Sequence, residues 1–121
     1  MASIVHHIAL FVSDEASIDF YEKLGFVVRM RRERPERQDE IVWMDGCGTT
    51  LELFIDPKHP PRVSGPEAMG LRHLALKVEN IDEAVAAIAQ YHPEPVRYDS
   101  FTGERMTFVK DPDGQPIELH E

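Results

Sequence analysis

Cysteine is almost absent from this chain, with Cys47 the only one among 121 residues. A single cysteine excludes an internal disulfide, and a reducing cytosol is its natural environment. Long apolar runs are lacking as well, because no stretch approaches the roughly 20 apolar residues of a membrane-spanning helix. The first residues show no basic leader and no cleavage site. We therefore expect a soluble, cytoplasmic protein.

Basic residues are few, with 13 Lys and Arg against 22 Asp and Glu, which gives a net charge of −9. A nucleic-acid or anionic-membrane partner would require a basic face, so we expect neither. A chain of 121 residues fits one domain and buries roughly two-thirds of its unfolded surface.

Two blocks of the sequence are repeated at a single shift. The segment "HHIALFVSD" resembles "RHLALKVEN" when His73 is placed on His7, a shift of 66 residues. The same shift places "DPDGQPIEL" on "DGCGTTLEL", and therefore Glu118 on Glu52. Two matches at one shift, each with a polar residue among aliphatic ones, indicate an internal duplication.

Each copy predicts a strand, a helix and three further strands, which together form an α+β fold of two βαβββ modules. Apolar periodicity places the first helix at about 15–24 and the second at about 81–91, where Asn80 and Glu83 resemble a capping box. The predicted strands cover about 3–12, 26–33, 40–45, 49–56, 71–79, 95–98, 104–110 and 115–120. Module 1 spans about 1–56 and module 2 about 71–121, with a proline-rich linker at about 57–70, in one domain.

Strand alternation places the repeated polar residues on one face of each sheet. Aliphatic residues such as Leu51 and Leu53 point to the helix side, so Glu52 points away from it. His7, His73 and Glu118 follow the same rule, whereas His6 has the wrong parity to join His7 on that face. Sheltered carboxylates without a partner are unfavourable by several kcal/mol. A divalent cation removes this cost, and two imidazoles with two carboxylates suit Ni, Co, Fe, Mn or Zn.

These motifs resemble the vicinal oxygen chelate superfamily, which includes glyoxalase I, extradiol dioxygenases, fosfomycin-resistance enzymes and bleomycin-binding proteins. The resemblance covers essentially the whole chain and rests on "HHIALFVSD", "FYEKLGF", "LELF", "GLRHLALKVENID" and "FVKDPDGQPIEL". The segment from "GPEAMG" to "DEAV" is especially similar to a small bacterial glyoxalase-like branch. The resemblance implies a mixed sheet that cups a metal, with the ligands His7, Glu52, His73 and Glu118.

This ligand set is similar to that of nickel- or cobalt-activated bacterial glyoxalase I. The similarity implies a lyase or isomerase that acts on a small oxygen-chelating substrate through a metal-stabilised enediolate, with Glu118 as the base and Glu52 as its symmetry mate. We expect nickel or zinc, with cobalt, manganese and iron as alternatives, and a homodimer in which one chain or both chains supply the ligands.

Two other kinds of function remain as alternatives. A thiol transferase or ring-cleavage dioxygenase is disfavoured by the fourth ligand, Glu52. A small-molecule-binding or resistance protein is disfavoured by the intact ligand set.

Two positions differ from the glutathione-dependent members that the chain resembles. Those enzymes usually carry an Arg four residues after the first ligand His and an Asn four residues after the first ligand Glu. Phe11 and Asp56 occupy these positions here. A hydrophobic side chain and an acid cannot bind the carboxylates of the peptide, so glutathione is a doubtful thiol.

Further residues are candidates for the substrate pocket or its surroundings. Phe11, Phe54 and Arg105 are expected to line it, and His120 shares the strand face of Glu118. The arginines of 29–40 form either a solvated hairpin or an anion-binding surface. Arg72 precedes a ligand and is expected to point to the helix side or to the seam between the modules, in a structural role.

Overall fold

The computed structural model describes residues 1–121 and divides them into two compact units, Met1–Pro60 and Pro61–Glu121. The first unit contains β1 (Ile8–Val12), α1 (Ala16–Lys23), β2 (Val27–Arg34), β3 (Asp39–Gly46) and β4 (Thr49–Ile55). The second contains β5 (Leu74–Lys77), α2 (Ile81–Ala87), a 3₁₀ turn (Ala89–Tyr91), β6 (Arg97–Tyr98), β7 (Arg105–Lys110) and β8 (Pro116–His120). The predicted α+β fold of two βαβββ modules is confirmed.

The first unit forms a four-stranded mixed sheet in the order β1-β4-β3-β2. β1 and β4 are parallel, and the other neighbours are antiparallel. Leu51 and Leu53 of β4 are fully buried, together with their β3 partners Met44 and Val42. Alternation therefore sends Glu52 to the opposite face, as the sequence predicts.

Helix α1 contributes the other half of this core. Asp14 accepts a hydrogen bond from the backbone of Ala16 through Oδ1, at 2.8 Å, and so satisfies a free N–H group at the first turn. Ile18, Phe20 and Tyr21 are buried, and Tyr21 contacts Phe26 edge to face. The helix thus packs an aromatic stripe against the aliphatic face of the sheet.

The second unit repeats this arrangement in the order β5-β8-β7-β6, with β5 and β8 parallel. Ile117 and Leu119 of β8 are buried with Ile81 and Ile88. The side chain of Asn80 accepts a hydrogen bond from the backbone N–H of Glu83, so the predicted N-terminal cap of α2 is present.

The two units differ in the hairpin that precedes the glutamate-bearing strand. In the first unit two residues join β3 to β4, and Cys47 and Gly48 both have positive φ, of 51° and 77°. In the second unit five residues, 111–115, join β7 to β8. The Oδ1 atom of Asp111 accepts hydrogen bonds from the backbone N–H groups of Asp113 and Gln115, both at 2.9 Å. Neither α1 nor α2 is long and apolar enough to cross a lipid bilayer.

Candidate functional site

The first candidate pair lies where β1 and β4 run side by side. Ala9 is the register partner of Glu52, and His7 immediately precedes β1. Nε2 of His7 lies 3.6 Å from Oε1 of Glu52, whose side chain is 14% exposed. The prediction that His7 and Glu52 share a sheet face is therefore consistent with their positions.

Trp43 fixes the carboxylate of Glu52. It is the β3 register partner of Glu52, and its Nε1–H donates a 2.7 Å hydrogen bond to Oε2. The imidazole of His7 stacks on the indole with ring centres 6.2 Å apart, and the guanidinium of Arg29 lies 4.8 Å from the indole centroid. Oε2 is thus occupied by the indole, which leaves Oε1 facing His7.

The second candidate pair repeats this geometry in the second unit. Ala75 is the register partner of Glu118, and His73 immediately precedes β5. Nε2 of His73 lies 3.2 Å from Oε1 of Glu118, whose side chain is 13% exposed. Phe108 is the β7 partner of Glu118 and contacts His73 edge to face at 5.0 Å. Since phenylalanine has no N–H group, Glu118 lacks the donor that holds Glu52.

The 3.6 Å separation in the first pair is longer than an ordinary hydrogen bond, and the separations in both pairs are compatible with metal ligation. A charge-assisted N–H···O bond is about 2.7–2.9 Å long. Two ligand atoms at about 2.0–2.2 Å from one metal lie about 3.0–3.5 Å apart in tetrahedral or octahedral geometry. The N···O distances of 3.6 Å and 3.2 Å lie near this second range. Each pair can therefore present one imidazole nitrogen and one carboxylate oxygen to a cation.

The Nδ1 atoms of the two histidines have different neighbours. Nδ1 of His6 lies 2.8 Å from Nδ1 of His7, so one ring donates a proton to the other. When His7 is the donor, its Nε2 is unprotonated and free to bind a metal. His6 thus contacts His7 through Nδ1 despite its opposite parity, because both residues precede β1 and strand alternation does not govern them.

Arg72 places a different constraint on His73. Its Nη1 atom lies 3.3 Å from Nδ1 of His73, and its guanidinium lies 6.0 Å from the ring centre of Phe108. An arginine can only donate, so this contact makes Nδ1 an acceptor and leaves the proton on Nε2, toward Glu118. For Nε2 of His73 to bind a metal, the contact between Arg72 and Nδ1 must break so that the proton can move from Nε2 to Nδ1. The helix side, one of the two directions expected of Arg72, is therefore not the one observed.

A second group of potential ligands lies in the same unit. Asp99, Glu118 and His120 each offer one ligand atom, and these atoms lie within 4.8 Å of one another. Oδ2 of Asp99 lies 3.5 Å from Nε2 of His120, and Oγ1 of Thr102 lies 3.0 Å from the same nitrogen. The backbone N–H of Phe101 holds the pKa of the Asp99 carboxyl below its usual value. His120 is therefore a neighbour of the Glu118 face, as its parity suggests.

Phe11 and Asp56 stand where the glutathione-dependent enzymes that the chain resembles carry an Arg and an Asn, and both have other contacts here. Phe11 is 63% exposed and packs against the rings of Phe54 at 5.7 Å and His59 at 3.9 Å. Asp56 is buried, and its Oδ1 accepts the backbone N–H of Lys58 at 2.9 Å, which lowers the pKa of the carboxyl. Neither side chain offers a free donor to a carboxylate.

Arg105 lies away from the face of Glu118. Phe108 pairs with Glu118, so alternation places Arg105 on the side of the buried Thr107 and Val109. Its guanidinium donates two hydrogen bonds to Glu121, at 3.0 Å and 2.9 Å, and forms an ion pair with Asp82 of α2 at 3.2 Å. Its contacts hold the second unit together rather than lining the face expected of the pocket.

The arginines of 29–40 are mostly paired with acids of the same unit. Arg29 contacts Asp45 at 2.6 Å, and Arg34 contacts Asp39 at 2.6 Å. Arg31 bridges Glu15 and Glu40. These contacts match the solvated hairpin rather than an anion-binding surface.

Comparisons with known proteins agree with the fold. A family model described as the glyoxalase/bleomycin resistance protein/dioxygenase superfamily matches residues 4–119. The uncharacterized protein YwkD of Bacillus subtilis (strain 168) is 44% identical over 97% of this chain and 95% of its own length. Lactoylglutathione lyase of Escherichia coli O157:H7 is 34% identical over 95% of this chain and 90% of its own length. The crystal structure of a glyoxalase family protein from Enterococcus faecalis superposes with a TM-score of 0.89 at 48% identity, covering 98% of this chain and 97% of that one.

Proposed function

The chain belongs to the glyoxalase/bleomycin resistance protein/dioxygenase superfamily, and we propose that it is a metal-dependent lyase or isomerase of the glyoxalase I type. The observation that carries the proposal is the duplicated His–Glu pair. In both units a histidine that precedes the first strand lies 3.6 Å or 3.2 Å from a glutamate on the parallel neighbour. Neither His–Glu pair belongs to the apolar core of its unit, whereas the proposed metal centre requires both pairs.

The proposed ligands are Nε2 of His7 and His73 and one carboxylate oxygen each of Glu52 and Glu118. Nickel or zinc fits this set of two nitrogens and two oxygens, as do cobalt, manganese and iron. When bound, the metal supplies a Lewis acid for two adjacent oxygens of the substrate. The remaining chemistry is the movement of a proton between neighbouring carbon atoms.

Glu118 is the proposed base because its carboxylate is the less restrained of the two. Oε2 of Glu52 is bound by the indole of Trp43, whereas His73 is the only side chain that contacts Glu118 within ion-pairing distance. An oxygen without a donor is free to turn toward a carbon atom of the substrate. Glu118 thus takes the proton and returns it one atom further along, while Glu52 stays in place.

The proposed substrate is a small molecule with two adjacent oxygens and few negative charges. Phe11 and Asp56 replace the basic and amide side chains expected of glutathione binding, and Asp56 is already bound to the backbone of Lys58. Losing two charge-assisted contacts of about 1.5–3 kcal/mol each weakens binding by ~10²-fold or more. The glutathione–methylglyoxal adduct is therefore expected to be a poor substrate beside adducts of smaller, uncharged thiols.

The proposal is tested first by metal binding. Metal-free protein is titrated with NiCl2 and ZnCl2 by calorimetry, and metal content is measured by elemental analysis. The double variant His7→Ala, His73→Ala is expected to lose this metal. The matched control His92→Ala removes an exposed loop histidine and is expected to bind normally. Unchanged metal content in the double variant would refute the site.

A second test separates ligation from proton transfer. Glu118→Gln keeps a neutral oxygen ligand but loses the base, so metal is retained with weaker affinity while turnover falls at least ~10²-fold. Glu52→Gln is the matched variant in the other unit, and its loss of turnover is expected to follow its loss of metal. Normal turnover by Glu118→Gln on a panel of aldehyde–thiol adducts would exclude Glu118 as the base.

We also propose that the protein forms a homodimer, and mixing variants shows which chain supplies each pair. His7→Ala chains and His73→Ala chains are unfolded together and refolded as a mixture. If ligands are shared between partners, mixed dimers regain one intact site. If each chain supplies all four ligands, the mixture binds no more metal than either variant alone. Sedimentation of the wild type as a monomer would contradict the dimer.

A further inference from the structure

We propose that the second unit contains a second divalent-cation site, formed by Asp99, Glu118 and His120 with the hydroxyl of Thr102. This site goes beyond the proposed function and shares only Glu118 with it. Its donors are one imidazole nitrogen, two carboxylates and one hydroxyl. Such a mixed nitrogen and oxygen set suits Zn²⁺ or Mn²⁺.

The distances in the site match the edges of a coordination polyhedron. Nε2 of His120 lies 3.5 Å from Oδ2 of Asp99 and 3.0 Å from Oγ1 of Thr102. Ligands at about 2.0–2.2 Å from a metal are about 3.0–3.5 Å apart. One ligand atom of each of Asp99, Glu118 and His120 lies within 4.8 Å of the others, so a cation would have to draw some of them together by up to about 1–2 Å.

The donors are already organised before any cation arrives. Asp99 is held by backbone N–H groups, since its Oδ1 accepts from Phe101 at 2.7 Å and from Thr102 at 3.3 Å. These bonds keep the Asp99 carboxyl ionised by lowering its pKa, and they leave Oδ2 directed at His120. Glu118 and His120 are two residues apart on β8 and therefore project from the same face.

The site does not belong to the duplicated motif. At the shift of 66 residues, which superposes β8 on β4, Phe54 corresponds to His120. The first unit thus lacks the imidazole, and the same position carries an aromatic hydrocarbon instead. His120→Phe is therefore a suitable test variant, because phenylalanine already occupies the equivalent position of the first unit.

A cation in this site changes the role of Glu118. The free carboxylate oxygen that makes Glu118 a base would become a ligand, and its basicity would fall. The turn at 99–104, which carries the almost fully exposed Phe101, would be fastened to β8 through Asp99 and Thr102. Excess Zn²⁺ is therefore expected to inhibit the enzyme by occupying this second site.

The test is the stoichiometry of Zn²⁺ and Mn²⁺ binding to the full metal-free chain, measured by calorimetry. The wild type is expected to bind two cations per chain, the second more weakly. Asp99→Asn preserves the acceptor for the backbone but removes the charge, and it should weaken the second cation at least ~10-fold, as should His120→Phe. His92→Gln is the control for an exposed histidine, and the double variant His7→Ala, His73→Ala should lose only the first cation.

Each result decides one of the two sites. Loss of the second cation in Asp99→Asn and His120→Phe, with slower amide exchange of 99–104 when Zn²⁺ is bound to the wild type, supports the proposal. A single cation in the wild type that neither variant affects overturns it, as does an equal loss in His92→Gln. Binding that depends on Asp99 and His120 but not on His7 or His73 leaves this site standing and refutes the proposed function.

Discussion

Replacing Trp43 with phenylalanine tests how the first unit holds its carboxylate. The indole N–H donates a 2.7 Å bond to Oε2 of Glu52, whose side chain is 14% exposed. Phenylalanine keeps an aromatic ring near His7 and Arg29 and removes only the donor and part of the ring. The change therefore isolates one hydrogen bond to a sheltered charge.

The expected loss follows from the charge of the acceptor. A hydrogen bond to an ionised group contributes about 1.5–3 kcal/mol. At 1.4 kcal/mol for each factor of ten, this corresponds to roughly 10- to 150-fold. Groups that orient a metal ligand typically change metal affinity by about 10- to 100-fold. Because Oε1 of Glu52 faces His7 only while Oε2 is held, Ni²⁺ affinity should fall by this amount in Trp43→Phe.

Calorimetric titration of the metal-free variant with NiCl2 measures the loss directly. Tyr98→Phe is the matched control, because it removes a hydroxyl donor from an aromatic residue that is 73% exposed. Trp43 is the only tryptophan, so its fluorescence in the wild type reports Ni²⁺ binding independently. Wild-type affinity in Trp43→Phe would refute the view that the indole orients Glu52 for a metal.

Three further outcomes are expected. Arg72→Ala should strengthen Ni²⁺ binding roughly two- to fivefold, the scale of one exposed contact, because the guanidinium no longer donates to Nδ1 of His73; weaker binding in the titration would contradict this. Arg105→Gln should lower the melting temperature at pH 7, because Arg105 depresses the pKa of the Glu121 carboxyl. A depressed pKa contributes stability that is fully present above the usual carboxyl value near 4.5 and is lost as the pH falls through the folded-state value. The difference in melting temperature should therefore shrink as the pH is lowered below 4.5, and a difference that stays constant would contradict this. Phe11→Arg should lower KM for the glutathione–methylglyoxal adduct about tenfold through one charge-assisted contact. An unchanged KM in steady-state assays would show that position 11 does not contact the peptide.

Much of the fold follows from local patterns in the sequence. Strand alternation and helical periodicity place every strand and helix within a few residues of its observed bounds, except that the first strand of each unit is shorter than predicted. The pairing of Ala9 with Glu52 and of Ala75 with Glu118 follows because equal sequence blocks adopt equal register. His7 and His73 lie beside Glu52 and Glu118 although they precede their strands, whereas the contacts of His6 and Arg72 do not follow from alternation.

The residue that pairs with each glutamate depends on the length of the preceding hairpin, which the Asp-x-x-Gly motif does not reveal. The pattern Asp-x-x-Gly occurs at 45–48 and 111–114, yet Asp45 and Gly46 belong to β3, whereas Asp111 begins the five-residue connection to β8. Nine positions therefore separate Trp43 from its partner Glu52, and ten separate Phe108 from Glu118. A fixed shift of 66 would place Val109, not Phe108, in the position of Trp43. The duplication accounts for two similar His–Glu pairs. The longer second hairpin places Phe108 rather than Val109 beside Glu118, and since neither side chain has an N–H group, Glu118 has no counterpart of the indole bond that holds Glu52.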